Sequence, residues 1–173
     1  MTPSNENETR LLLSTAYNYK GPAAVRYPRG TGPNSSIDST LESLEIGKAR
    51  LLREGSSGIV FLNFGALLDQ AEIVANEMDM TLIDMRFVKP LDEELLCKYL
   101  NNASMFLSLE DGSISGGAGS AVQEFCGRNN IIIKSMLFGI PDEFIDHASR
   151  EEMLDQAGLN AKKILNKLKT LQE

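Results

Sequence analysis

Residues 59–86 read Ile59-Val60-Phe61-Leu62-Asn63-Phe64, then Gly65 to Met80, then Thr81-Leu82-Ile83-Asp84-Met85-Arg86. The first six are apolar on both alternating faces except Asn63, which is the pattern of a strand buried on both sides. Between the two runs, Ala66–Met78 places Leu67, Ala71, Val74 and Ala75 on one helical face. The second run is again short, with Leu82, Ile83 and Met85 apolar. A buried strand, an amphipathic helix and a second buried strand are the elements of a parallel βαβ unit.

The same alternation continues on both sides of this stretch. Upstream, Lys48–Arg53 reads as an edge strand. Downstream, Pro90 with Asp92-Glu93-Glu94 opens a helix that runs to Asn101-Asn102, the acids lying at the positive end of its dipole. Met105–Leu109 is a strand, Gly119–Gly127 begins a helix and Ile131–Leu137 is a strand. Two helices follow. Ser149 with Glu152 has capping-box spacing, Gly158 stops the helix, and Asn160 is placed to cap the last one. That helix carries Ala161, Ile164, Leu165, Leu168 and Leu171 as an apolar stripe. The expected fold is α/β, a mainly parallel sheet with helices on both faces.

The first forty residues follow a different pattern. Ser4 is a suitable N-cap, Glu6 and Glu8 suit a first helical turn, and Leu12, Thr15, Ala16 and Tyr19 share a face. Gly21-Pro22 stops the helix, and Ala23–Tyr27 is β-prone. A helix feeding one strand, with no strand before it, is half of an α/β unit. Residues 30–40 (GTGPNSSIDST) are polar and rich in Gly, Pro and Ser, as linkers are. The expected organisation is a helix–strand tail over 1–30, a linker over 31–40, and a complete domain over 41–173.

Composition bounds the function. The 173 residues contain 42% hydrophobic and 24% charged residues, an ordinary globular balance. At this length about 70% of the unfolded surface can be buried. Seventeen Lys and Arg against 24 Asp and Glu give a net charge of −7, with a pI near 4.8. Sequence-independent nucleic-acid binding needs a basic stripe, which is not here. Cys97 and Cys126 fit neither metal-ligand spacing nor a disulfide framework, and suit a reducing compartment. No apolar run approaches the roughly 20 residues of a membrane helix. The expectation is a soluble, intracellular protein.

Four features could carry chemistry. Glu110 to Ser120 crosses from a strand into a helix, and Gly116, Gly117 and Gly119 with Ser120 would let backbone amides approach an anion. The spacing matches neither a dinucleotide fingerprint nor a P-loop, so the loop is either a close-packing turn or an anion or nucleotide contact. In Val25-Arg26-Tyr27-Pro28-Arg29-Gly30, two arginines three apart could present guanidiniums to a phosphate or carboxylate, or form a solvated or interface pair. Asp84 to Asp92 reads as a turn in which Arg86 pairs with nearby acids. His147, the single histidine, has no metal-ligand neighbours.

Several segments occur together in one order in a known family. They are Met1-Thr2-Pro3-Ser4 with Glu6-Asn7-Glu8; Gly21 through Gly30; Leu62-Asn63-Phe64-Gly65; and Asp84 through Asp92. Gly116-Gly117-Ala118-Gly119-Ser120 and Gly139 through Ile145 complete the set. The chain resembles the C-terminal part of the 1-deoxy-D-xylulose-5-phosphate synthases, transketolase-like thiamin-diphosphate enzymes. The resemblance implies a transketolase C-terminal-like domain over 41–173, behind the tail of a pyrimidine-binding domain. It implies a parent that condenses pyruvate with glyceraldehyde 3-phosphate, losing carbon dioxide, for isoprenoid, thiamin and pyridoxal synthesis. It also implies that Arg29 helps hold the sugar phosphate.

The family's acidic activator, its magnesium- and diphosphate-binding motif and its catalytic histidines have no counterpart in these residues. Thiamin diphosphate and magnesium are therefore expected in the full-length enzyme and not in this chain alone, which should hold no catalytic residue and be inactive. Expected partners are the enzyme's own N-terminal and pyrimidine-binding domains, a second subunit in a homodimer, and small-molecule substrates. The expected location is the cytoplasm, with a plastid left open, and Met1 is expected to be an internal position of a longer enzyme. A separate reading makes Gly116–Ser120 a regulatory anion site. A third makes the chain purely structural, marked by an exposed apolar stripe.

Overall fold

The computed structural model describes residues 1–33 and 35–170. Leu171 of the expected apolar stripe lies outside the described residues, as does Asn34 of the expected linker. The chain opens with helix α1 (Glu6–Asn18), followed by strand β1 (Arg50–Arg53) and strand β2 (Ile59–Phe64). Helix α2 (Leu68–Glu77), strand β3 (Thr81–Asp84), helix α3 (Glu93–Leu100) and strand β4 (Met105–Ser113) come next. Helix α4 (Ala118–Arg128), strand β5 (Lys134–Ile140) and helices α5 (Arg150–Gln156) and α6 (Ala161–Lys169) complete it. The five strands form one sheet in the order β1-β3-β2-β4-β5, parallel except for the edge strand β1.

Alternation along β2 feeds two cores. Phe61 joins Leu107 and Leu82 beneath Ala71 and Val74 of α2 and Ile164 and Leu168 of α6. Val60, Leu62 and Phe64 point the other way, into a layer with Leu96 and Leu100 of α3 and Val122 and Phe125 of α4. Both faces of the central strand are buried, which is why it reads as a continuous apolar run. Each fully buried Leu or Phe contributes about 1.5–3 kcal/mol relative to exposure.

The caps expected at the C-terminal end are present. Ser149 and Glu152 form a capping box on α5, and Asn160 Oδ1 accepts from the Lys163 amide at 2.9 Å. Five expectations shift. Asn5, not Ser4, caps α1, accepting from the Glu8 amide at 2.9 Å, because the Ser4 hydroxyl is recruited by Asp84. Tyr19 lies past the end of α1 and is half exposed. Residues 23–27 form no strand; their pairing is confined to Met1, which donates to the Ala24 carbonyl and accepts from the Arg26 amide, both at 2.9 Å. A lone extended segment without neighbouring strands has no ladder to join.

The other two shifts lie in the sheet. β4 continues past Leu109 to Ser113 across a register irregularity. β5 starts at Lys134 rather than Ile131 and runs on to Ile140. Ile131 and Ile133 pack against the α3–α4 core while Ile132 stands in solvent, so three isoleucines that look like a strand serve as a connector.

Candidate functional site

The C-terminal ends of β2 and β4 are neighbours, and the chain leaves β2 towards β3 on one side and reaches β4 on the other. In open α/β sheets that divergence creates a crevice where ligands commonly bind. Residues 1–4 lie beside it, over the ends of β3 and β2. The Thr2 amide donates to the Arg86 carbonyl at 2.8 Å, and Ser4 Oγ donates to Asp84 Oδ2 at 2.7 Å. Thr2 and Ser4 are both buried.

The N-terminal residues are held there by charge. Glu8 of α1, 2% exposed, accepts from Arg86 Nε at 2.7 Å and from Arg86 Nη2 at 2.6 Å. Arg50 of β1 lies 3.5 Å from the same carboxylate and 3.3 Å from Asp84. Arg86 therefore does pair with an acid, but across 78 residues rather than within its own turn. Its backbone adopts φ 56, a left-handed conformation rare for a non-glycine residue, which directs the guanidinium at α1. Burial pushes the Asp84 carboxyl above the ordinary aspartate value; the Ser4 hydrogen bond and Arg50 pull it back, and Glu8 adds to the rise. Two carboxylates and two guanidiniums together leave no net charge, as a buried cluster requires.

The two arginines of Val25–Gly30 separate. Arg26 donates to Asp111 Oδ1 at 2.6 Å and to the Asp111 carbonyl at 2.5 Å, bolting the tail to the end of β4. Arg29, beyond Pro28, is exposed and makes neither a hydrogen bond nor an ion pair among the described residues. It lines a groove of about 640 Å3 between the start of α1, the 27–33 segment, the first turns of α2 and Arg150 of α5.

The glycine loop is built differently from an open anion cradle. Glu110 turns back so that its carboxylate accepts from the amides of Ala118 at 2.9 Å and Gly119 at 3.0 Å. It occupies the positive end of α4, where a phosphate would otherwise sit. A Cβ on Gly119 would overlap the Ser108 hydroxyl and come within 2.9 Å of Leu137 Cδ2, so this glycine lets α4 lie directly on the sheet. Gly116 takes φ 71 to turn the chain, and Ser120 Oγ donates to the Ile114 carbonyl at 3.0 Å. Gly119 is close-packed against Ser108 and Leu137, and Gly116–Ser120 does not line the Arg29 groove.

Among the described residues no group of three or more His, Cys, Asp or Glu is arranged to hold a metal ion. With the positive end of α4 taken by the Glu110 carboxylate as well, the described residues do not fit thiamin diphosphate and its magnesium. His147 lies exposed in the irregular segment before α5. Residue-by-residue reading missed Glu8–Arg86, Arg26–Asp111 and the helix-capping role of Glu110. No local signal marks partners 78 and 85 residues apart. Arg150 was equally unmarked.

Comparison with known proteins agrees with this architecture. Residues 47–164 match the family model described as "Transketolase, C-terminal domain". The chain is 51% identical over 164 residues to "1-deoxy-D-xylulose-5-phosphate synthase" of Pseudomonas syringae pv. syringae, covering 95% of this chain and 26% of that protein. It is 52% identical over 161 residues to the protein of the same name from Marinomonas sp., covering 93% and 26%. The chain thus spans about a quarter of the length of these relatives. Among solved structures, a "Split gene transketolase, inactive beta4 tetramer" superposes with a TM-score of 0.84 at 25% identity, over 98% of this chain and 56% of that one. No helix among the described residues is long and apolar enough to cross a membrane. The chain belongs to the transketolase C-terminal domain family.

Proposed function

We propose that this chain is the C-terminal part of a 1-deoxy-D-xylulose-5-phosphate synthase and that Arg29 holds the phosphate of its glyceraldehyde 3-phosphate substrate. The observation that carries the assignment is the division of labour in Val25–Gly30: Arg26 is tied to Asp111, while Arg29 stands unpaired at a groove. A planar guanidinium can grip two phosphate oxygens at once and fix the sugar's distal end. Thiamin diphosphate with magnesium supplies the carbanion chemistry when bound, and in this reading the parent's other domains hold both.

Within the parent, residues 1–30 are the tail of the pyrimidine-binding domain, 31–40 a linker and 41–173 the C-terminal domain. The outer side of α1 supports the missing neighbour: Leu13 is 45% and Tyr17 90% exposed. A homodimeric, cytoplasmic (or plastid) enzyme supplying isoprenoid, thiamin and pyridoxal precursors completes the reading, and the isolated chain is inactive. In the full enzyme, Arg29→Ala should raise KM for glyceraldehyde 3-phosphate about 100-fold, two charge-assisted hydrogen bonds' worth. KM for pyruvate should stay within about twofold. Equal losses for both substrates, or for neither, would overturn the role of Arg29.

A further inference from the structure

We propose that Arg150 supplies a second guanidinium to the groove opened by Arg29, so that the two grip one phosphate group from opposite sides. The proposal rests on the reading of Arg29 above and extends it to a residue outside the Val25–Gly30 motif. Its starting point is the state of the chain's eight arginines. Six have partners: Arg26, Arg53, Arg50, Arg86 and Arg128 are paired with carboxylates, and Arg10 donates to the Asp38 and Thr40 carbonyls. Among the described residues Arg29 and Arg150 alone have neither ion pair nor hydrogen bond.

In a chain of net charge −7, acids outnumber cations and arginines pair readily. The two that do not pair line the same groove, and both are exposed, so a solvated anion can reach them. Their supports differ. Arg150 is the first residue of α5, whose start is fixed by the Ser149–Glu152 capping box, whereas Arg29 follows Pro28 in an extended segment. Two cations on differently supported elements of one groove suit a tetrahedral anion, whose oxygens point in several directions at once.

The groove's carboxylates bound the affinity. Glu6 accepts from the Ser35 amide at 3.2 Å and Asp69 from Gln70 at 3.0 Å. Those neutral donors leave both charges in place, so Glu6, Asp69 and Glu72 of α2 all oppose an anion in the groove. The ligand is accordingly one phosphate monoester, not a polyphosphate, whose further charges these three carboxylates would repel.

The test is titration of the 173-residue chain with inorganic phosphate at fixed ionic strength, read through the arginine Nε–H resonances. Saturable binding is expected, weakened about tenfold by Arg29→Ala and equally by Arg150→Ala. Arg150→Lys should recover part of the loss, Glu72→Gln should strengthen binding about threefold, and Arg128→Ala on a remote surface should change nothing. Unchanged binding in Arg150→Ala alongside loss in Arg29→Ala would remove Arg150 and leave Arg29 standing. Equal weakening by Arg128→Ala would reduce the effect to bulk charge and overturn the proposal. No binding by the unsubstituted chain would also overturn it, while Arg29 would still be judged by the glyceraldehyde 3-phosphate KM of the full enzyme.

Discussion

Replacing Glu8 by Gln tests whether the buried charge cluster fastens the N-terminal tail to the domain. The substitution keeps the side chain's shape and one carbonyl oxygen, but removes the charge that two guanidiniums share. Arg86 has a side-chain exposure of 15% and makes two short hydrogen bonds to Glu8; Arg50 is 37% exposed and sits 3.5 Å away. Removing one partner of a fully buried pair costs about 3–5 kcal/mol, chiefly because the remaining charge is left desolvated. Arg50 is partly hydrated and keeps Asp84, so the cost falls at or below the foot of that range, about 2–3 kcal/mol. For a chain of this size that lowers Tm by about 4–12 °C.

Urea unfolding followed by far-UV circular dichroism suits a chain without tryptophan. A double-mutant cycle with Arg86→Met separates the pair from general disturbance of the site. The doubly substituted chain should be more stable than the sum of single losses implies, by about 1–3 kcal/mol, since no unpaired charge remains. A Glu8→Gln loss below about 0.5 kcal/mol would refute the idea that this cluster fastens the tail. So would strict additivity in the cycle.

Two further outcomes follow from the same geometry. Gly119→Ala should destabilise by about 1–3 kcal/mol through overlap with Ser108 and Leu137, and Ser108→Gly should return part of it; a neutral Gly119→Ala would show that α4 is not seated on the strands this closely. The Asp84 carboxyl, raised by burial above an aspartate's ordinary 3.8, binds its proton more tightly in the folded than in the unfolded chain. Its favourable contribution is therefore complete below the unfolded value and is lost as pH rises through the folded one. Relative to Asp84→Asn, the unsubstituted chain should lose stability as pH rises above about 4, and the opposite slope would contradict the assignment.

Most of the architecture was readable from short-range pattern. β2 falls on the residues its apolar run indicates, the face of α2 with Leu67, Ala71, Val74 and Ala75 is buried, and the caps at Ser149 and Asn160 are in place. These depend on periodicity and on groups three or four residues apart, so the sequence carries them directly. The errors fell where a remote group competed. Ser4 lost its capping role to Asn5 because Asp84, 80 residues on, took its hydroxyl. Residues 23–27 stayed out of the sheet because their backbone bonds run to Met1, not to a neighbouring strand.

The sequence by itself determined the order of elements, the two-faced core and the family resemblance, because each rests on local spacing or on contiguous motifs. The tertiary structure alone decided which charged groups are bolts and which remain available. Arg26 and Arg29 are indistinguishable in the motif that contains them. Asp111 reaches one and leaves the other facing a groove with Arg150. That difference arises from where the end of β4 comes to lie, and a residue's free charge depends on neighbours that only folding brings within a few ångströms.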